Sequence, residues 1–131
     1  MDLLEKYIEE LKAELVIDEM NVGEVQRRLP ARRHHWAARL IRHKRELNKL
    51  LREIDVRANV IAAKLKDESP TRLSWSQTKG AAMQSVEIIK YKQQIEDLEL
   101  IIEFLEKSEK NLSSIQWDIK NIIAIRQLEL L

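Results

Sequence analysis

Between residues 37 and 65, apolar side chains recur at alternating steps of three and four: Ala37, Leu40, Leu47, Leu51, Ile54, Ala58, Ile61 and Leu65, with Lys44 the one interruption. Only an α-helix brings such a series onto one face. The pattern predicts a long helix over residues 31–66, about 54 Å long at about 1.5 Å per residue, and a helix of that length needs a partner along most of it. The same spacing returns at Ala81, Gln84, Ile88, Tyr91, Ile95, Leu98, Ile102 and Leu105. With two glycines and two prolines among 131 residues, the fold class is all-α: long helices in an elongated hairpin or bundle.

Boundary signals divide the chain. Asp2, with Glu5 three residues on, caps a first helix in which Leu4, Tyr7, Ile8, Leu11 and Leu15 share a face and the other face is Glu-rich. Asp18 is placed to cap a short second helix with Met20, Val22, Val25 and Leu29 apolar. Gly23 weakens it by about 1 kcal/mol, and Pro30 ends it by disfavouring helical geometry in the residue before it. Residues 67–74, which hold Pro70, read as a loop. Ser74 with Gln77 is a capping box that restarts a helix, with Gly80 in its second turn. The expected domain is single: acidic N-terminal helices over 1–29, a basic helix over 31–66, the loop, and C-terminal helices over 75–131.

Toward the C-terminus Leu100, Ile101 and Phe104 widen the apolar seam, and Leu112, Ile115, Ile119, Ile122, Ile123 and Ile125 continue it. Ser113 with Gln116 leaves open a helix break near Asn111. The stretch 115–131 is too apolar to leave in water, and burial against copies of the chain is the simplest solution. The oligomer interface is expected at Ile95, Leu98, Ile102, Leu105, Leu112, Ile115, Ile119 and Ile122, with Trp117 in the core. An intrachain hairpin without further partners is the alternative.

Several functions lose support. The chain has no cysteine, which removes disulfide scaffolds and Cys-based zinc sites. No apolar run approaches the roughly 20 residues of a membrane span, and the acidic start Met1-Asp2-Leu3-Leu4-Glu5 is unlike a signal peptide, so a soluble intracellular protein is expected. There is no glycine-rich phosphate loop and no Gly-x-Ser-x-Gly elbow. His34, His35 and His43 are poorly spaced for chelation. No catalytic residue, metal or cofactor is expected.

Charge is the informative feature. From Arg27 to Arg57 there are eleven Lys or Arg against three acids, a local +8 in a chain of net +1. With the apolar row inward, Arg42, Arg45, Lys49 and Arg52 project from the far side. Arg32, Arg39, Arg57 and Lys64 run along a flank interrupted by Glu46 and Glu53. Two cationic tracks suit a phosphate backbone, bound through charge and counterion release, and Trp36 and Trp75 are candidate platforms for stacking unpaired bases. The alternative is that the track pairs with Glu5, Glu9, Glu10 and Glu14 of the N-terminal helix.

The order of features resembles the UvsY family, the recombination mediators of tailed bacteriophages. The likeness runs through Glu10-Leu11-Lys12, Val16-Ile17-Asp18, Trp36 with its basic helix, Ile61-Ala62-Ala63-Lys64-Leu65, Ile115 and Ile119-Lys120-Asn121-Ile122. The family's DNA-associated motif, Leu-Lys-Ala-Arg-Leu-Asp-Tyr, is half kept: Lys64 stands at its arginine and Ala62 at its lysine. The resemblance implies a ring-like homo-oligomer of hexamer or heptamer type, assembled through the C-terminal helices. It also implies a non-enzymatic protein that binds single-stranded DNA and helps a RecA-like recombinase displace single-strand-binding protein, in the cytoplasm of the infected host. Arg32, Arg33, Arg39, Arg42, Arg45, Lys49, Arg52, Arg57, Lys64 and Lys66 are the expected DNA contacts. A coiled-coil scaffold without nucleic-acid binding, or a helical adaptor for a protein partner, are the competing readings.

Overall fold

The Asp2 carboxylate accepts the Glu5 amide at 2.8 Å and starts the first helix, α1 (Leu3–Glu14). The computed structural model describes residues 2–68 and 73–130. After α1 come α2 (Val22–Glu68), α3 (Trp75–Ala82) and α4 (Val86–Glu129), with no strand among the described residues. The fold is all-α. Residues 69–72, half of the expected loop and including Pro70, lie outside the described residues.

Three boundaries differ from the sequence expectation. Pro30 lies inside α2 instead of ending a helix. The bias that proline imposes on its predecessor is modest, whereas Val22, Val25, Leu29, Trp36 and Leu40 are all buried on the continuing helix. Pro30 and Gln26 are exposed, so water can serve the carbonyl that loses its amide partner. Asp18 does not cap the helix from its first turn. It forms a tight turn with Asn21, each side chain accepting the other's backbone amide at 2.7–2.8 Å, and helix begins at Val22.

The helix begun at Ser74 stops early. Its capping box with Gln77 is present in both directions, but residues 83–85 form a turn closed by Gln84 N to Ala81 O and Ser85 N to Ala82 O, each 3.1 Å. Ser85 Oγ then accepts the Ile88 amide at 3.4 Å and opens α4. The turn shifts the helical phase, so Thr78 and Ala82 are buried while Ala81 and Gln84 are exposed. Near Asn111 there is no break; buried Ser108 and Leu112 sit within an uninterrupted α4.

The residues fall into two compact units, Met1–Arg42 with Leu100–Leu131, and His43–Glu99. The first buries Tyr7, Leu11, Leu29, Trp36, Leu40, Leu105, Leu112 and Ile119. The buried hydroxyl of Ser108 donates to Phe104 O at 2.7 Å. The second is built on Ala58, Ala62, Ala82, Ile88, Ile95 and Leu98, the three alanines leaving room for close helix packing.

Candidate nucleic-acid interface

The basic residues of α2 divide according to what packs against them. In the first unit the acidic face of α1 meets α2. Arg32 pairs with Glu14 and, at 3.5 Å, with Glu10; Arg39 Nη1 donates to Glu10 Oε2 at 2.6 Å. Trp36 Nε1 donates to Glu14 Oε2 at 2.9 Å, and the Arg39 guanidinium stands 4.7 Å from the centroids of both Tyr7 and Trp36. Arg33 donates to Gln116 Oε1 at 2.5 Å. Trp36 is only 2% exposed, so with α1 in place its ring is a core side chain with its N–H satisfied and presents no open face for stacking.

The electrostatics of this patch follow from the contacts. The hydrogen bond from Arg39, aided by the charges of Arg39, His35 and Arg32, holds the Glu10 carboxyl below its ordinary range despite burial. Burial, then the neighbouring Arg39 and Arg32, holds His35 below its ordinary value against the pull of Glu10 at 3.7 Å. The pairing of track with acidic helix is therefore real for Arg32 and Arg39.

In the second unit the outer face of α2 is open. Arg45, Lys49 and Arg52 are exposed at steps of four and three, spanning about 10 Å of helix. Among the described residues, the acid contact on this face is Lys49 Nζ to Glu53 Oε1, at 3.9 Å. Leu47, Ile54 and Ala58, on the opposite side, are half-buried or buried. Arg57, on the flank, is committed to Glu87, with bonds of 2.5 and 3.0 Å; the same bonds hold Glu87 low and raise Arg57. Lys64 and Lys66 are exposed near the end of α2, and Trp75 is 48% exposed at the start of α3. Arg42, where α2 leaves the first unit, is also exposed.

Crystal structures of the bacteriophage T4 recombination mediator protein UvsY, in two lattice forms, match this chain from end to end. One superposes with a TM-score of 0.78 at 20% identity, covering 98% of this chain and 99% of that one. The other gives 0.79 at 20% identity, covering 100% and 99%. The chain has the UvsY fold. No protein-family model matches its sequence, and no curated protein matches it.

Within this UvsY fold the expected oligomer seam is largely internal. Ile95, Leu98, Ile102, Leu105, Leu112 and Ile119 are buried by the chain's own helices, Ile115 is half-buried, and Ile122 is exposed. Packing within each unit uses up one apolar stripe of α4, so residues off that stripe are left for contact with anything else. Trp117, expected in the core, is 63% exposed with Lys120 Nζ 5.1 Å from its ring centroid. Ile125 and Leu128 are exposed as well. Periodicity identified the stripe but could not show that its neighbours stay open. Among the described residues no group of three or more His, Asp or Glu is placed to hold a metal, and no helix is long and apolar enough to cross a membrane.

Proposed function

We propose that this protein is a non-enzymatic recombination mediator of a bacteriophage. It binds single-stranded DNA along the outer face of α2 and helps a RecA-like recombinase displace single-strand-binding protein in the infected cell. The observation that carries this reading is the exposed Arg45, Lys49 and Arg52 row, a ladder of cations whose acid contact is a loose 3.9 Å pairing of Lys49 with Glu53, on a fold shared with a recombination mediator. Lys64 and Lys66 add charge on the same helix. Exposed Trp117, Ile122, Ile125 and Leu128 supply an apolar surface for a homo-oligomer, of hexamer or heptamer type. An oligomer multiplies a modest site by avidity.

Titration with a single-stranded oligonucleotide at several salt concentrations tests the proposal. Each phosphate neutralised contributes a log–log slope of about −0.7, so three cations give about −2 per subunit engaged. A flat response, or no binding at low salt, rejects it. The apolar surface also favours a second reading, a scaffold whose charges serve folding and docking. In that case light scattering shows the oligomer unchanged by oligonucleotide and dissociated by high salt.

A further inference from the structure

The part of α2 that α1 covers has the components of a single-strand site, and the cover imitates the ligand. Arg32, Trp36 and Arg39 stand at i, i+4 and i+7, two guanidinium groups around an indole. Against them α1 sets two carboxylates one turn apart, Glu10 and Glu14, and the Tyr7 ring, which meets Trp36 edge-on with centroids 5.6 Å apart. A guanidinium that takes a carboxylate takes a phosphate with the same donors. An indole beside two cations is a stacking surface for a base.

The cover is lightly held. Tyr7 and Leu11 are the buried residues of α1. Its ion pairs to Arg32 and Arg39 retain between 19% and 36% of side-chain exposure, a setting in which such pairs are weak. The C-terminal end of α1 borders a cleft of about 540 Å³ lined by Glu14, Leu15, Arg28 and Arg32. Arg32 Nε and His35 Nε2 are buried without a hydrogen bond within the chain, the latter 3.7 Å from Glu10 Oε1. Displacement by a strand exchanges one anion for another.

We propose that α1 is a built-in competitor. Glu10 and Glu14 stand where phosphates bind and Tyr7 where a base packs, closing a second single-strand site made of Arg32, Trp36 and Arg39 that opens when DNA displaces the helix. This rests on the single-strand binding assigned to the outer face of α2.

The test is an oligothymidylate titration across salt of the full chain and its Glu10→Gln/Glu14→Gln variant, both carrying Trp75→Phe and Trp117→Phe so that Trp36 is the remaining indole. The amides keep an acceptor for Trp36 Nε1 but release the guanidinium groups. The variant is expected to bind about tenfold more tightly, with a slope steeper by about 1.4 for two added phosphates, and with Trp36 fluorescence quenched by the strand. Adding Arg32→Gln/Arg39→Gln should return the slope. An unchanged slope with Trp36 unaffected overturns the competitor while leaving the outer-face site standing; no binding by either protein at any salt overturns both. Hydrogen exchange on the unsubstituted chain gives an independent reading: α1 amides should exchange faster at saturating strand, and unchanged or slower exchange rejects displacement.

Discussion

Two stretches of one helix carry arginines at the same three-four spacing and end in opposite states. Around Trp36 the guanidinium groups of Arg32 and Arg39 each have a carboxylate and the aromatic ring is sealed. Around Arg45, Lys49 and Arg52 the side chains stand in water. The difference does not lie in α2 itself. It lies in α1, whose acids reach the first stretch, so local sequence sets where a cation points and a distant segment decides whether it is available.

The largest expected effect sharpens the closed side of this contrast. Trp36→Ala should cost about 3–5 kcal/mol of stability, the range for removing a buried large aromatic, measured by urea unfolding. A cost under about 1 kcal/mol would break the claim that the patch is sealed by packing. On the open side, Arg45→Glu/Lys49→Glu/Arg52→Glu should weaken single-strand binding by roughly a hundredfold or more at low salt, through loss of phosphate contacts, with helicity by circular dichroism unaltered. Equal affinity would move the site elsewhere.

Acid should distinguish the two stretches next. Glu10 has a folded pKa below its ordinary 4.5, so its contribution is present above that value and is lost as pH falls through the folded one. His35 is held below its ordinary 6.5. Below about pH 6.5 the unfolded chain binds a proton that the folded chain resists, and stability falls. Both act in the same direction, so the melting temperature should decline from pH 7 toward pH 4, and His35→Gln should flatten the upper part of that decline. The smallest effect is expected at Trp117. Trp117→Ala should change unfolding of the single chain by under about 0.5 kcal/mol, as for other surface positions, while altering oligomer size in light scattering.

Much of the fold was legible because it rests on local chemistry. The Asp2 cap, the Ser74–Gln77 box and the apolar spacing of α2 and α4 each act within a few residues. What escaped depends on competition between levels. Pro30 is a local stop signal overridden by five buried neighbours along α2. The turn at residues 83–85 has a weak signal, Ser85 before the run from Val86, hidden under a spacing that looked continuous. At the candidate site the outward face was readable from helical angle alone. The loss of Arg32, Arg39 and Arg57 to internal acids was not, since their partners lie between 18 and 30 residues away.

The turn tying Asp18 to Asn21 has a consequence for selectivity. Seven residues join α1 to α2, and a link that short keeps the tethered acids at an effective concentration in the millimolar range. Free phosphate or a mononucleotide, competing one anion at a time, meets that standing concentration and gains little. A long strand brings its own local crowd of phosphates once a few are seated. If α1 is the competitor proposed above, the tether sets a threshold: a long strand should displace the acids at phosphate concentrations at which inorganic phosphate or a mononucleotide does not.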